Sequence, residues 1–259
     1  MKNKWDFVFI LTVILVAVLG FWDIYFSRLS EANFSQHLHA ITSFFWLLLI
    51  LLQRNFIQSK QRTLHKNIGL SIFFIAPAIF ASVVLLVIHS AHKTAVKSLP
   101  DDFLVRNATS AIVFGLIVFL AFLLRKNRNL HGTLIMSSTL FFLGIGLIFA
   151  GFGFISMFNP AKPDFGETIG ILILAVVVIL LIVSILMYIK DKPNGWPWLF
   201  TTGLFVLLTI IVSPMLEGTN FLLSATLYIG SIDYTAGFIV AYLLMSALMA
   251  YAWKVGKKP

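Results

Sequence analysis

Six histidines are the side chains in this sequence best suited to chemistry, and all of them fall within its first 131 residues. There is no cysteine, so thiolate metal sites, Fe–S clusters, disulfides and Cys nucleophiles are excluded together. Imidazole ligates metals, carries protons and caps helix ends near neutral pH. His37 and His39 lie close together, and His89 and His92 have the i, i+3 spacing that lets two rings on one helix share a metal. His65 and His131 stand alone, each just before a long apolar run. His39, Trp46 and Gln53 recur at seven-residue intervals, so each successive member rotates by only about −20° and the three share one helix face. In an apolar segment such a stripe is expected to face protein or a cavity rather than acyl chains.

The elements that must position these residues are transmembrane helices. Of 259 residues, 59% are apolar, 26 are Phe and only 11% are charged, against about 25% charged in soluble domains. Eight stretches reach the roughly 20 apolar residues that cross a bilayer: 7–26, 39–57, 68–91, 107–124, 133–157, 168–189, 197–216 and 229–253. Continuous runs such as Ile169–Tyr188 do not alternate, which excludes a barrel and leaves helices. The first run lacks a small-residue cleavage site and is expected to be retained. The fold class is therefore all-α, a polytopic membrane bundle of about eight helices. Residues 1–157 are expected as a His-bearing five-helix bundle, with 158–259 a His-free three-helix segment packed on it in one membrane domain.

Charge orients the bundle. With both termini cytoplasmic, Lys2, Lys4, Arg54, Lys60, Arg62, Lys66, Arg125, Lys126, Arg128, Lys190, Lys192, Lys254, Lys257 and Lys258 fall inside, and only Arg28, Lys93, Lys97, Arg106 and Lys162 outside. The net charge of +9 is thus accounted for by topology, and nucleic acid is not expected as a partner. His37, His39, His89 and His92 then lie at the outer face, and His65 and His131 at the inner. From His65 to His89 is 24 residues, so a single helix is expected to carry a His near each surface. Trp5, Trp196, Trp198 and Trp253 are expected at the interfaces. Pro77 and Pro214 are expected to kink their spans. Gly144, Gly146, Gly151 and Gly153, and the Gly166–Gly170 pair, are expected to allow close helix packing. The segment 217–231 is expected as an outer loop or interfacial turn.

HExxH, HxxxH and HxxHH boxes and a P-loop are absent. Asp233 is the only acidic residue near hydrocarbon in the last three spans, where ion-coupled carriers usually keep ionisable groups.

Several short elements occur in order: Gly20-Phe21 with Tyr25-Phe26, His37-Leu38-His39-Ala40, Trp46, Gln53, Leu64-His65-Lys66 with Gly69, and His131 with Met136. Together they resemble the pattern of a family of multi-pass bacterial membrane proteins of unassigned activity, over residues 20–136. That family usually carries a basic residue after the fifth-span His, where this chain has Gly132. More distantly, the arrangement is similar to the two-heme transmembrane cytochromes b that pass electrons from ascorbate. That resemblance implies an inner b-type heme held by His65 and His131, with His37 or His39 serving the outer one. Span four opens on Asn107-Ala108-Thr109 and offers no His, so an outer heme would draw on His89 or be absent.

The expected function is a redox protein of the bacterial inner membrane binding heme b, with His39, His37, Gln53 and Trp46 contributing to cofactor binding. One alternative is an outer-face Zn, Cu or Fe site built from His37, His39, His89, His92 and Asp23. Another is a non-enzymatic carrier, or a subunit of a larger membrane complex. The bilayer is the expected partner, with membrane-complex subunits or further copies of the chain as protein partners.

Overall fold

The computed structural model describes residues 4–97, 99, 101–158 and 165–256, among which there is helix and no strand. The expected charges at Lys2, Lys162, Lys257 and Lys258 lie outside the described residues. The helices in chain order are α1 (Lys4–Gly20), α2 (Phe34–Gln58), α3 (Arg62–Gly69), α4 (Ile72–Ala95), α5 (Asp102–Leu123), α6 (Arg128–Ser137), α7 (Thr139–Phe158), α8 (Phe165–Lys190), α9 (Trp196–Val206), α10 (Ser213–Leu216), α11 (Asn220–Gly230) and α12 (Tyr234–Val255). A short 3₁₀ turn, Phe26–Glu31, precedes α2, and a π-helical stretch, Leu207–Val212, joins α9 to α10.

Among the described residues, seven helical segments are long and apolar enough to cross a membrane; α6 and α7 together form one, and α9 through α10 another. The first apolar run forms the shorter α1, whose 17 residues extend about 26 Å at 1.5 Å per residue. The fold is an all-α helical bundle, and the protein is a multi-pass membrane protein.

Helix starts follow local chemistry. At α2, Asn33 and Gln36 form a reciprocal capping box, satisfying two otherwise unpaired donors. This begins the helix five residues earlier than the apolar pattern alone indicates, so His37 and His39 sit inside it. Asp233 caps α12 by accepting from the Ala236 N–H at 2.9 Å; that is the work of the lone acidic residue near the last span. Residues 217–231 do not form a simple loop: Thr219 caps α11 within them.

Hydroxyl groups interrupt the long span α6–α7. Ser137, Ser138 and Thr139 each donate to the carbonyl three residues earlier, at 2.6–2.9 Å, a competition with the helix ladder that bends helices. Their oxygens still accept. Ser138 takes the Trp46 indole N–H at 3.0 Å and Ser137 takes the Thr201 hydroxyl at 3.0 Å. Ser71 likewise donates to Ile68 O at 2.7 Å between α3 and α4. His65 and His89 therefore lie on separate helices, not at opposite ends of one.

Glycine sets the closest helix approach. A Cβ on Gly20 would overlap the Gly146 carbonyl oxygen, and one on Gly146 would meet Val16 O at 3.0 Å. Helices α1 and α7 thus cross at backbone contact, as small residues permit in lipid. Gly144 and Gly151 face Leu180 and Leu172 of α8. Gly170 has open space around it, so it marks no such contact. Trp198 is buried against Phe9, ring centres 5.6 Å apart, whereas Trp5 is exposed.

Candidate functional site

The histidines separate into two ends of the bundle. At one end, the turn after α2 brings His65 back over Gln53. Lys60 takes a left-handed conformation, φ 60°, and the Gln61 N–H donates to Phe56 O at 2.9 Å, a Schellman-type stop achieved without glycine. The short helix α3 then lies against the end of α2.

Gln53 has its amide orientation dictated by backbone. Its oxygen accepts from the Gly69 N–H at 3.1 Å, and its nitrogen donates to His65 O at 3.0 Å and to His65 Nδ1. A backbone N–H only donates and a carbonyl only accepts, so the amide has one satisfactory orientation. Consequently His65 Nδ1 is an acceptor and the neutral ring carries its proton on Nε2. Burial holds this imidazole below its usual range, which favours that neutral form.

His131, near the start of α6, has the opposite tautomer. Its Nδ1–H donates to Ala121 O at 2.7 Å, so in the neutral ring Nε2 keeps a lone pair. Asn127 caps this helix by accepting the Leu130 N–H at 3.1 Å, which sets the His131 register. Among the described residues neither Nε2 atom has a hydrogen-bond partner, and neither is sealed from the surface. Phe122 lies edge-on to His131, ring centres 5.6 Å apart. Phe73 and Trp253 extend this aromatic wall. Arg125 stacks over Trp253 at 3.9 Å and donates to its carbonyl at 3.0 Å, so this cation is committed to protein.

The rest of the α2 stripe is held by protein. Trp46 is wholly buried, bonded to Ser138 and edge-on to Phe114 at 5.0 Å. Ser82 gives its hydrogen to Ile79 O at 2.8 Å, and His39 Nδ1 bonds to its oxygen at 3.1 Å.

The outer histidines are each engaged separately. His37 Nδ1 is 2.9 Å from the Tyr25 hydroxyl, whose phenol is raised by burial and stays a donor. Asn33 Oδ1 is taken by the helix cap, so its Nδ2 donates to His89 Nε2 at 3.0 Å, leaving Nδ1–H toward Tyr234 at 3.4 Å. His92 Nδ1 donates to Gly230 O at 3.0 Å. Asp23 lies against Gly153. Among the described residues, no three His, Asp or Glu side chains gather where they could hold a metal ion.

A heme held by two histidines asks each ring to offer an Nε2 lone pair while Nδ1–H donates outward. His131 meets that demand. His65 does not, because the Gln53 amide places the proton on Nε2. As arranged, the pair does not fit bis-histidine heme ligation.

In comparisons with known proteins, no family model, no curated protein and no solved structure matches this chain. The fold and composition define its class: a helical, multi-pass membrane protein.

Proposed function

We propose that this is a protein of the bacterial cytoplasmic membrane, both termini cytoplasmic, that binds a small membrane-soluble molecule between His65 and His131. One observation carries this reading. Two imidazoles from separate helices are held through Nδ1 by protein, and each keeps Nε2 uncommitted. His37 and His92 are also bonded through Nδ1 alone; what sets this pair apart is opposite tautomers, fixed by the Gln53 amide and by Ala121 O. The positive-inside distribution supports placing this end in the cytoplasm. The chemistry of the pair is binding and proton exchange: one ring presents N–H, the other a base. This reading takes the carrier alternative in preference to heme-mediated electron transfer.

The test is extraction and mass analysis of small molecules retained by the protein in lipid nanodiscs, compared with His65→Phe and His131→Phe. An amphiphile present in the native protein and depleted in both variants is the expected result. An identical extract from all three proteins, each shown to be folded, would overturn the reading. So would a reduced-minus-oxidised spectrum showing a stoichiometric b-type heme that both substitutions remove.

A further inference from the structure

We infer that His89 is an acid-sensitive latch at the other end of the bundle: while neutral it ties the start of α2 to α4, and on taking a proton it lets that start go. The inference goes beyond the binding reading above and stands independently of it. Two histidines one turn apart on α4 gather three helix ends. His89 Nε2 lies 3.0 Å from Nδ2 of Asn33, the N-cap of α2, and His89 Nδ1 lies 3.4 Å from the hydroxyl of Tyr234, at the start of α12. His92 Nδ1 bonds at 3.0 Å to the carbonyl of Gly230, where α11 ends. Further along α2, the Thr42 and Ser82 hydroxyls join it to α4 at 3.0 Å, so the two helices stay linked below the latch.

Each outer ring answers a proton according to whether its partner can reverse. Asn33 cannot. Its Oδ1 accepts the Gln36 N–H at 3.0 Å, and its own N–H donates to Gln36 Oε1 at 2.9 Å, so the amide can offer His89 only hydrogen. A protonated imidazole carries hydrogen on both nitrogens, which sets His89 Nε2–H against Asn33 Nδ2–H. Turning the amide over would relieve that opposition only by breaking the cap that starts α2. His37 differs, because the Tyr25 hydroxyl at 2.9 Å can turn from donor to acceptor. His92 differs too, because Gly230 O accepts from Nδ1–H whether or not Nε2 is protonated. Of the three, His89 couples its charge to a helix end.

Protons can reach the latch, since His89 is only half-buried. On α4 itself, His92 and Lys93 follow at i+3 and i+4, on the same face; Lys93 supplies no counter-charge for a second cation. On α12 the neighbours are Tyr234 and the capping Asp233, whose carboxylate is spent on the Ala236 N–H. Glu31 is exposed in the turn before Asn33. Along α5, Arg106 pairs with Glu217 at 3.5 Å, and the buried Asp101 that precedes this helix donates its N–H to Thr226 of α11. Helix α11 has no charged side chain.

The test is a dipolar distance measurement between two spin labels on the full-length protein in nanodiscs, attached through Phe34→Cys on α2 and Val96→Cys just beyond α4, both exposed positions. The chain has no cysteine of its own, so the labels report these two positions alone. At about pH 7.5 one close population is expected. At about pH 5, well below the ordinary imidazole value, the ratio of close to separated populations should fall about tenfold, the size expected for one bond lost and one donor pair opposed. His89→Gln keeps an acceptor for Asn33 without titrating, and Asn33→Asp keeps the cap while offering an acceptor to Nε2–H; each should abolish the acid response. His92→Gln should leave it intact. A distance unchanged between the two pH values with the native latch would overturn the proposal, and that comparison needs no substitution at His89 or Asn33. An acid response that persists in His89→Gln or in Asn33→Asp would overturn it equally.

Discussion

Replacing Gln53 by Leu probes the site at its most constrained point. The side chain makes three hydrogen bonds, to His65 Nδ1, His65 O and Gly69 N. Net values of about 0.5–1.5 kcal/mol per bond, set in a partly exposed location and offset by the apolar contact of Leu, give a loss of about 2 kcal/mol. Leu also frees Nδ1, so His65 loses the partner that fixes its tautomer. Reversible unfolding in mixed detergent measures the first effect, and the nitrogen-15 signals of His65 measure the second. A loss of about 2 kcal/mol with a mixed tautomer at His65 is expected. A second substitution sharpens the reasoning. Glu at position 53 offers a carboxylate to Nδ1, draws the proton there and leaves a lone pair on Nε2. The His65 signals should therefore report a protonated Nδ1 in Gln53→Glu. A Leu variant as stable as the native protein, with an unchanged His65 tautomer, would refute the account of Gln53.

Other perturbations test separate parts of the structure. Gly20→Ala forces a methyl into the Gly146 carbonyl, so overpacking should cost about 1–3 kcal/mol or more, measured by the same unfolding assay. Asp6 pairs with Arg54 and, at 2.7 Å, with Lys190; Asp6→Asn should destabilise by about 1 kcal/mol or less, because both cations stay partly exposed to solvent. Stability should also fall on acidification. His65 is held below its usual range by burial, so the unfolded ring protonates first. The contribution is whole above about pH 6.5 and is lost as pH drops toward the folded value. Unfolding at a series of pH values should show a shallower acid slope in His65→Phe than in the native protein.

The long helices were legible because a bilayer demands uninterrupted apolar runs, and runs such as Ile169–Tyr188 have few alternatives. Their ends were less legible, since caps rather than hydropathy decide them. Asn33 and Gln36 carry a readable capping signature, yet both lie before the apolar run begins. The separation of α3 from α4 was hidden because Ser71 breaks the ladder through a local hydroxyl bond, and Gly69 at the end of α3 sits between apolar residues that read as one continuous run. The turn at Lys60 was hidden for a related reason: its left-handed residue is not glycine. At the site, the seven-residue stripe rightly indicated that Trp46 and Gln53 face protein. The tautomers of His65 and His131 were beyond sequence, because Gly69 N–H, His65 O and Ala121 O set them through backbone placement. The outer histidines cluster in sequence, but Asn33, Tyr25, Ser82 and Gly230 each claim one separately.

The central claim is that His65 and His131 present opposite nitrogen chemistry to one ligand. The most direct measurement is a nitrogen-15 spectrum of histidine-labelled protein in nanodiscs at pH 7.5, with the two signals assigned by single substitution. The account predicts a protonated Nε2 on His65 and a protonated Nδ1 on His131. Protonated Nδ1 on both rings, or protonated Nε2 on both, would contradict it.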